Sequence, residues 1–168
     1  PILERGYDTI IPCDDYGAMV LSKYQDDFLK YTRYKMPSFD VFEMGYDKHR
    51  LMDLCQKKGY PHPQTVLLNG ASLENLNLDS LPYPLLIKPN HTCGARGMTF
   101  VKNREELEQK FPLIHKEYGD CHLQQFIPAG GNQVEIQLYV GDNNELVQAS
   151  VIKKFRWYPE NGGSSCCN

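Results

Sequence analysis

The stretch Tyr83-Pro84-Leu85-Leu86-Ile87-Lys88-Pro89 decides how the chain is read, because an apolar run of strand length ends in a lysine. Such a lysine either lays its stem along apolar surface with the ammonium in water, or it faces an anion. Three residues on begins His91-Thr92-Cys93-Gly94-Ala95-Arg96-Gly97-Met98, where Gly94 and Gly97 let the backbone turn and approach a ligand closely. Backbone amides there, together with Arg96, make a phosphate cradle. Taken alone a GxxG loop is weak evidence, since most are plain turns. It matches neither GxxxxGK[ST] nor GxGxxG, so neither a P-loop nor a Rossmann dinucleotide site is indicated.

Further along, Leu123-Gln124-Gln125-Phe126-Ile127-Pro128 reads as a strand running into Pro128, Gly130 and Gly131, which leaves its last peptide groups outside a ladder. One free carbonyl and one free amide suit the edge of an adenine. A core strand entering a turn has the same pattern.

Around these segments the signals alternate. Residues 7–12 (YDTIIP) predict a short strand, and Asp14 or Asp15 caps a helix reaching about Leu29. After a break near Met36-Pro37, Ser38 offers an N-cap for a short helix (FDVFEM) ending at Gly45. A second helix runs over 47–58 with Leu51, Leu54 and Cys55 on one face, stopped by Gly59 before Pro61 and Pro63. Strands follow at 65–68, 85–88 and 98–101, with a short helix at 73–76. Asn103 and Glu106 resemble a capping box for a helix that carries Leu107, Phe111, Ile114 and Tyr118 in phase and is kinked at Pro112. Three apolar runs, 122–127, 133–140 and 146–155, predict an antiparallel sheet, with Gly141-Asp142-Asn143-Asn144 as the turn between the last two.

At 168 residues and 41% hydrophobic, the chain can bury a core of ordinary size. A net charge of −3 leaves no excess of cations for nucleic-acid phosphates. No apolar run is long enough to read as a membrane span, and no targeting segment is recognisable. The six cysteines lack a CxxC pair or a histidine at metal-ligand spacing, which fits a reduced cytoplasmic protein. Cys166 and Cys167 read as two small side chains in a loop or as a redox pair. A first residue other than Met and a last stretch with no closing element predict a segment of a longer protein.

The order of the motifs is more specific than any one of them. Asp47-Lys48 opening a helix, Tyr83-Pro84 to Lys88-Pro89, Gly94-Ala95-Arg96-Gly97, Gln124-Gln125-Phe126-Ile127-Pro128 and then Glu135-Ile136-Gln137 resemble the ATP-grasp superfamily. Within it the chain is most similar to carbamoyl-phosphate-synthase-like and biotin-carboxylase-like ligases. The resemblance implies an α/β (α+β) fold, the ATP-grasp N-terminal lobe with a mixed or antiparallel sheet, preceded by the end of a Rossmann-like domain. It divides the chain into the end of that domain with its linker (1–45), a linking helix (46–63), the nucleotide-covering lobe (64–155) and the start of a catalytic lobe (156–168).

Residue roles follow from the same resemblance. Lys48 and Lys88 would contact the ATP phosphates, and the loop of Gly94, Arg96 and Gly97 would close over them. The Gln125 carbonyl and Ile127 amide would pair with adenine beside Phe126. Gln124 stands where many relatives carry Glu, and Gln133 and Glu135 lie on the strand that reaches the ribose. Lys153 and Arg156 fall where relatives place basic groups toward the γ-phosphate or the acyl substrate. The implied chemistry makes an acyl phosphate from a carboxylate and ATP, which an amine displaces, with the charge on the phosphoryl group offset by Mg2+ and cations. Magnesium ligands are expected beyond Asn168; Glu160-Asn161 reads as a turn. Implied partners are ATP and a small carboxylate or bicarbonate with an amine donor, in a homodimer, and these 168 residues alone are expected not to turn over. The alternative is a nucleotide-binding regulatory or structural lobe without ligase turnover.

Overall fold

Aspartate caps set the helices of the first of two compact units, which meet in the chain between His62 and Pro63. The computed structural model describes residues 6–70, 72–128, 130–158 and 164–167. Helix α1 (Asp15–Lys23) begins at Asp14, whose carboxylate accepts the Gly17 amide at 2.6 Å. Tyr24 leaves helical geometry (φ −115, ψ 35) and a separate short helix, α2 (Gln25–Phe28), follows, so the expected single helix is broken there. Residues 7–12 form no strand; Thr9 makes one isolated parallel bridge with Arg33. No sheet forms among the described residues of this unit, so a Rossmann-like end is not seen in it.

Asp47 joins α3 (Phe39–Tyr46) to α4 (Lys48–Lys58). It closes the first helix and caps the second, its carboxylate accepting the His49 amide at 2.9 Å and the Arg50 amide at 3.3 Å. Gly45 therefore lies inside α3 instead of ending it. Gly59, in the left-handed region at φ 68, terminates α4. Arg50 and Glu43 tie the two helices with an ion pair at 2.7 Å.

The second unit is built on a four-stranded antiparallel sheet in the order β1-β4-β2-β3: β1 (Thr65–Val66), β2 (Leu85–Pro89), β3 (Thr99–Val101) and β4 (Cys121–Gln125). β1 is shorter than the sequence suggests. Residues 73–76 form a turn, and a single 3-10 turn comes after it at Leu78–Ser80. In β2 the period of two is strict: Leu85, Ile87 and Pro89 are buried while Leu86 and Lys88 are only half-buried. The buried set joins Val101, Cys121 and Leu123 against Leu107 and Phe111 of helix α5 (Arg104–Tyr118). Full burial of each large apolar side chain here contributes about 1.5 to 3 kcal/mol, so packing outweighs the proline that α5 carries at its centre. The helix continues through Pro112 without interruption. At its start Asn103 accepts the Glu106 amide at 3.0 Å, and the Glu106 carboxylate reaches back to the Lys102 amide at 3.3 Å, one residue before the cap.

Strands β5 (Gln133–Val140) and β6 (Leu146–Lys154) form their own two-stranded antiparallel sheet. Its turn is closed by the Gly141 amide on the Glu145 carbonyl at 2.8 Å. The expectation that β4 would share this sheet is corrected: β4 is central to the four-stranded sheet, because its apolar residues complete the face under α5. β7 (Arg156–Tyr158) pairs with β8 (Ser164–Cys167), so the last stretch is extended where a loop was expected. Glu160 and Asn161, and the side chains of Cys166 and Cys167, lie outside the described residues. The fold expectation otherwise holds as mixed α/β with antiparallel sheets.

Cys121 is wholly buried under α5, and burial, reinforced by Asp120, pushes its thiol up to about 11. Cys13 and Cys93 are exposed. Iodoacetamide at mildly alkaline pH is therefore expected to alkylate Cys13 and Cys93 and spare Cys121. Peptide mass mapping checks this, and equal labelling of Cys121 would mean that the sheet opens readily beneath α5.

Candidate functional site

The face of the sheet away from α5 gathers the polar residues. Antiparallel register sets Lys88 opposite His122, Leu86 opposite both Gln124 and Phe100, and Thr65 opposite Gln124, and directly opposed residues share a face. Lys88 Nζ donates to Gln124 Oε1 at 2.9 Å, and Gln124 Nε2 donates to Thr65 Oγ1 at 3.2 Å. Beside them His122 Nδ1 lies 2.9 Å from Asn90 Oδ1. His122, Asn90 and Gln124 are 1%, 4% and 7% exposed, so these polar groups depend on partners within the protein for hydrogen bonds that water cannot supply. The bond to Gln124 is to a neutral carboxamide. A half-buried ammonium held in that way suits an anion.

The glycine loop continues from β2. Gly94 and Ala95 both have φ 61, and the Arg96 amide donates to the Cys93 carbonyl at 3.2 Å, the pattern of a type I′ turn. A second turn follows, with the Met98 amide on the Ala95 carbonyl at 3.1 Å and Gly97 at φ 72. A Cβ on Gly97 would stand 2.8 Å from Pro89 Cγ and 2.8 Å from Tyr118 Cδ2. Gly97 is thus required by packing on β2 and α5 as well as by its backbone. Among the described residues the Gly94 and Gly97 amides donate to no backbone carbonyl, and the Arg96 side chain is exposed.

At the other end of the face, the Gln125 amide donates to the Gln64 carbonyl at 2.8 Å and the Phe126 amide to the Pro84 carbonyl at 3.1 Å. Ile127 lies beyond the end of β4, and among the described residues its amide donates to no backbone carbonyl. Phe126 meets Phe100 edge-on, with ring centroids 4.8 Å apart. Ile127 is exposed. The sheet therefore brings Lys88 and Gln124 to one face, with Gln125, Phe126 and Ile127 following at the end of β4 and the loop of Gly94, Arg96 and Gly97 leaving from the same strand as Lys88.

The remaining candidates stand elsewhere in the chain. Lys48 is the first residue of α4, where the Asp47 carboxylate already occupies two of the free amides. Gln133 is exposed opposite Lys154. Glu135 accepts from Gln137 Nε2 at 3.0 Å and pairs with Lys154 at 3.1 Å; the Gln137 amide first and Lys154 second hold its carboxyl below the usual range. Lys153 lies with its ammonium 5.4 Å from the centre of the Phe155 ring, and Arg156 is exposed on β7. Neither makes a hydrogen bond with Lys88 or Gln124 among the described residues. No group of three or more His, Cys, Asp or Glu that could hold a metal ion occurs among the described residues.

Thr65, Asn90 and His122 complete the polar row and were not singled out in the sequence. A signal existed in Cys121-His122-Leu123-Gln124, where polar residues alternate with apolar ones in a strand whose apolar half is core.

A sheet with one helix-covered face and one polar, lysine-bearing face defines the class: a mixed α/β lobe with antiparallel sheets. A family model described as carbamoyl-phosphate synthase L chain, ATP binding domain, matches residues 47–153. The chain belongs to that family, within the ATP-grasp superfamily. It is 34% identical over 82 residues to a D-alanine–D-alanine ligase of Natranaerobius thermophilus, covering 48% of this chain and 22% of that protein. To a D-aspartate ligase of Enterococcus faecium it is 21% identical over 151 residues, covering 82% and 36%. The crystal structure of D-alanine–D-alanine ligase from Helicobacter pylori shares the fold, with a TM-score of 0.61 at 18% identity, over 85% of this chain and 45% of that one. The chain thus spans 22% to 45% of the length of these relatives.

Two outcomes follow. Gly97→Ala should destabilise the second unit by about 2 to 4 kcal/mol, joining the cost of a left-handed alanine to that of overpacking, and a denaturant melt measures it. Because the Glu135 carboxyl is held low in the folded hairpin, its stabilising contribution is present above the ordinary carboxylate range and lost as pH falls through its lowered value. Amide protection factors in β5 and β6, exchange rates referred to the intrinsic rate at each pH, should fall in acid, and Glu135→Gln should flatten that dependence.

Proposed function

We propose that this chain is the nucleotide-binding part of an ATP-dependent carboxylate–amine ligase that acts through an acyl phosphate. The observation that carries the reading is Lys88, a half-buried lysine at the end of β2, hydrogen-bonded to Gln124 and followed at once by the glycine loop. In this reading its ammonium meets the phosphates of ATP, with the loop amides and Arg96 closing over them. The Gln125 carbonyl and Ile127 amide take the adenine edge, and Phe126, braced by Phe100, gives the base an apolar wall.

Other assignments extend this core. Lys48 is a second phosphate contact, Gln133 and Glu135 face the ribose, and Lys153 and Arg156 direct positive charge toward the γ-phosphate or the acyl substrate. Magnesium supplies charge neutralisation between phosphate oxygens in such chemistry. The described residues offer it no ligand cluster, and none of them is assigned to it. The proposed substrates are a small carboxylate or bicarbonate with an amine donor, since the relatives are named both as D-alanine–D-alanine and D-aspartate ligases and as carbamoyl phosphate synthase large chains. The proposed setting is the cytoplasm, in keeping with free thiols at Cys13, Cys55, Cys93 and Cys121, with a homodimer as the expected assembly. No helix among the described residues is long and apolar enough to cross a membrane.

Calorimetric titration of the intact protein with ATP tests the reading. Lys88→Ala is expected to weaken binding by about 1.5 to 3 kcal/mol, the range for a hydrogen bond to a charged group. Unchanged affinity would remove Lys88 from the site.

A further inference from the structure

Three hydrogen bonds run in one direction across the polar face. Lys88 Nζ donates to Gln124 Oε1 at 2.9 Å, Gln124 Nε2 donates to Thr65 Oγ1 at 3.2 Å, and the Thr65 hydroxyl donates to the Pro63 carbonyl at 2.7 Å. Both ends of the chain are chemically one-way, since an ammonium can only donate and a carbonyl can only accept. The direction of every bond between them is then forced. Thr65 must spend its single proton on Pro63, so toward Gln124 it offers only a lone pair. Gln124 must therefore turn its NH2 to Thr65 and its oxygen to Lys88. Gln124 and Thr65 are 7% and 8% exposed, which leaves water little room to replace a lost partner.

We infer that Thr65 is a positioning residue of the nucleotide site: its hydroxyl fixes the orientation of the Gln124 carboxamide, and the carboxamide oxygen in turn aims the Lys88 ammonium. The inference rests on the nucleotide reading above and adds to it a residue 59 positions away from Gln124, on the two-residue edge strand β1. Without the hydroxyl the carboxamide loses one acceptor of its NH2 group. A carboxamide less firmly anchored on that side can rotate, and its oxygen then aims the Lys88 ammonium less sharply at the place where phosphate is met. Serine keeps the oxygen and the proton; valine keeps only the shape.

The experiment compares the intact wild-type protein with Thr65→Val and Thr65→Ser by calorimetry, using ATP and, as a phosphate-free probe, adenosine. Thr65→Val should lose about tenfold in ATP affinity with adenosine affinity unchanged, and Thr65→Ser should return ATP affinity to within about twofold of wild type. Retained adenosine binding reports that the variant is folded. Equal ATP affinity in Thr65→Val and wild type overturns the inference and leaves the nucleotide reading standing. A parallel loss of ATP and adenosine overturns it too, since Thr65 would then matter only for the fold. Absence of ATP binding in wild type overturns the nucleotide reading and the inference with it.

Discussion

The pairing of β2 with β4 is the constraint on which the second unit rests. Each strand carries apolar residues on one face and polar ones on the other, so the pair works in one register only. A slip of β4 by one residue against β2 would turn His122 and Gln124 toward Leu107 and Phe111 and bring Leu123 out. Desolvated polar groups without partners would accompany that slip, and their cost adds to the lost apolar burial. With the register held, α5 has a complete apolar floor, β1 and β3 find their edges, and the polar row is assembled as a consequence of core packing.

That dependence explains why the site and the core cannot be separated cleanly. Gly97 illustrates it: the glycine that a phosphate loop would want is also the only residue that fits between Pro89 and Tyr118. Gly94 and Ala95 make the tight turn, while Gly97 docks the returning chain on β2 and α5. A glycine motif read as functional thus has a structural requirement of its own, and the stronger argument for ligand binding comes from Lys88 and the partners that the sheet gives it.

Legibility in the sequence followed the range of the physics. Asp14, Asp47, Gly59 and Asn103 act within one helical turn, and the helices that they bound were readable. The β5–β6 hairpin was readable too, because its turn and both alternating strands are contiguous. Tyr24 interrupts a helix with no glycine or proline to announce it, and β1 stops after two residues although its apolar run continues. Leu68, expected in that strand, is buried in the same core, so burial alone did not distinguish strand from loop. For the site, Lys88, the glycine loop and the edge at Gln125 to Ile127 were all visible as local motifs.

By itself the sequence determined the strand that ends in Lys88, the turn that follows it, the capped helices and the order of motifs that marks the ATP-grasp superfamily. Only the tertiary structure decided that β4 lies between β1 and β2, apart from β5, and that Thr65, Asn90 and His122 stand in one row with Lys88 and Gln124. The reason is the reach of the interactions. A cap or a turn is settled by residues a few positions apart, whereas a hydrogen bond between residues 59 positions apart exists only once the core has chosen which faces to bury.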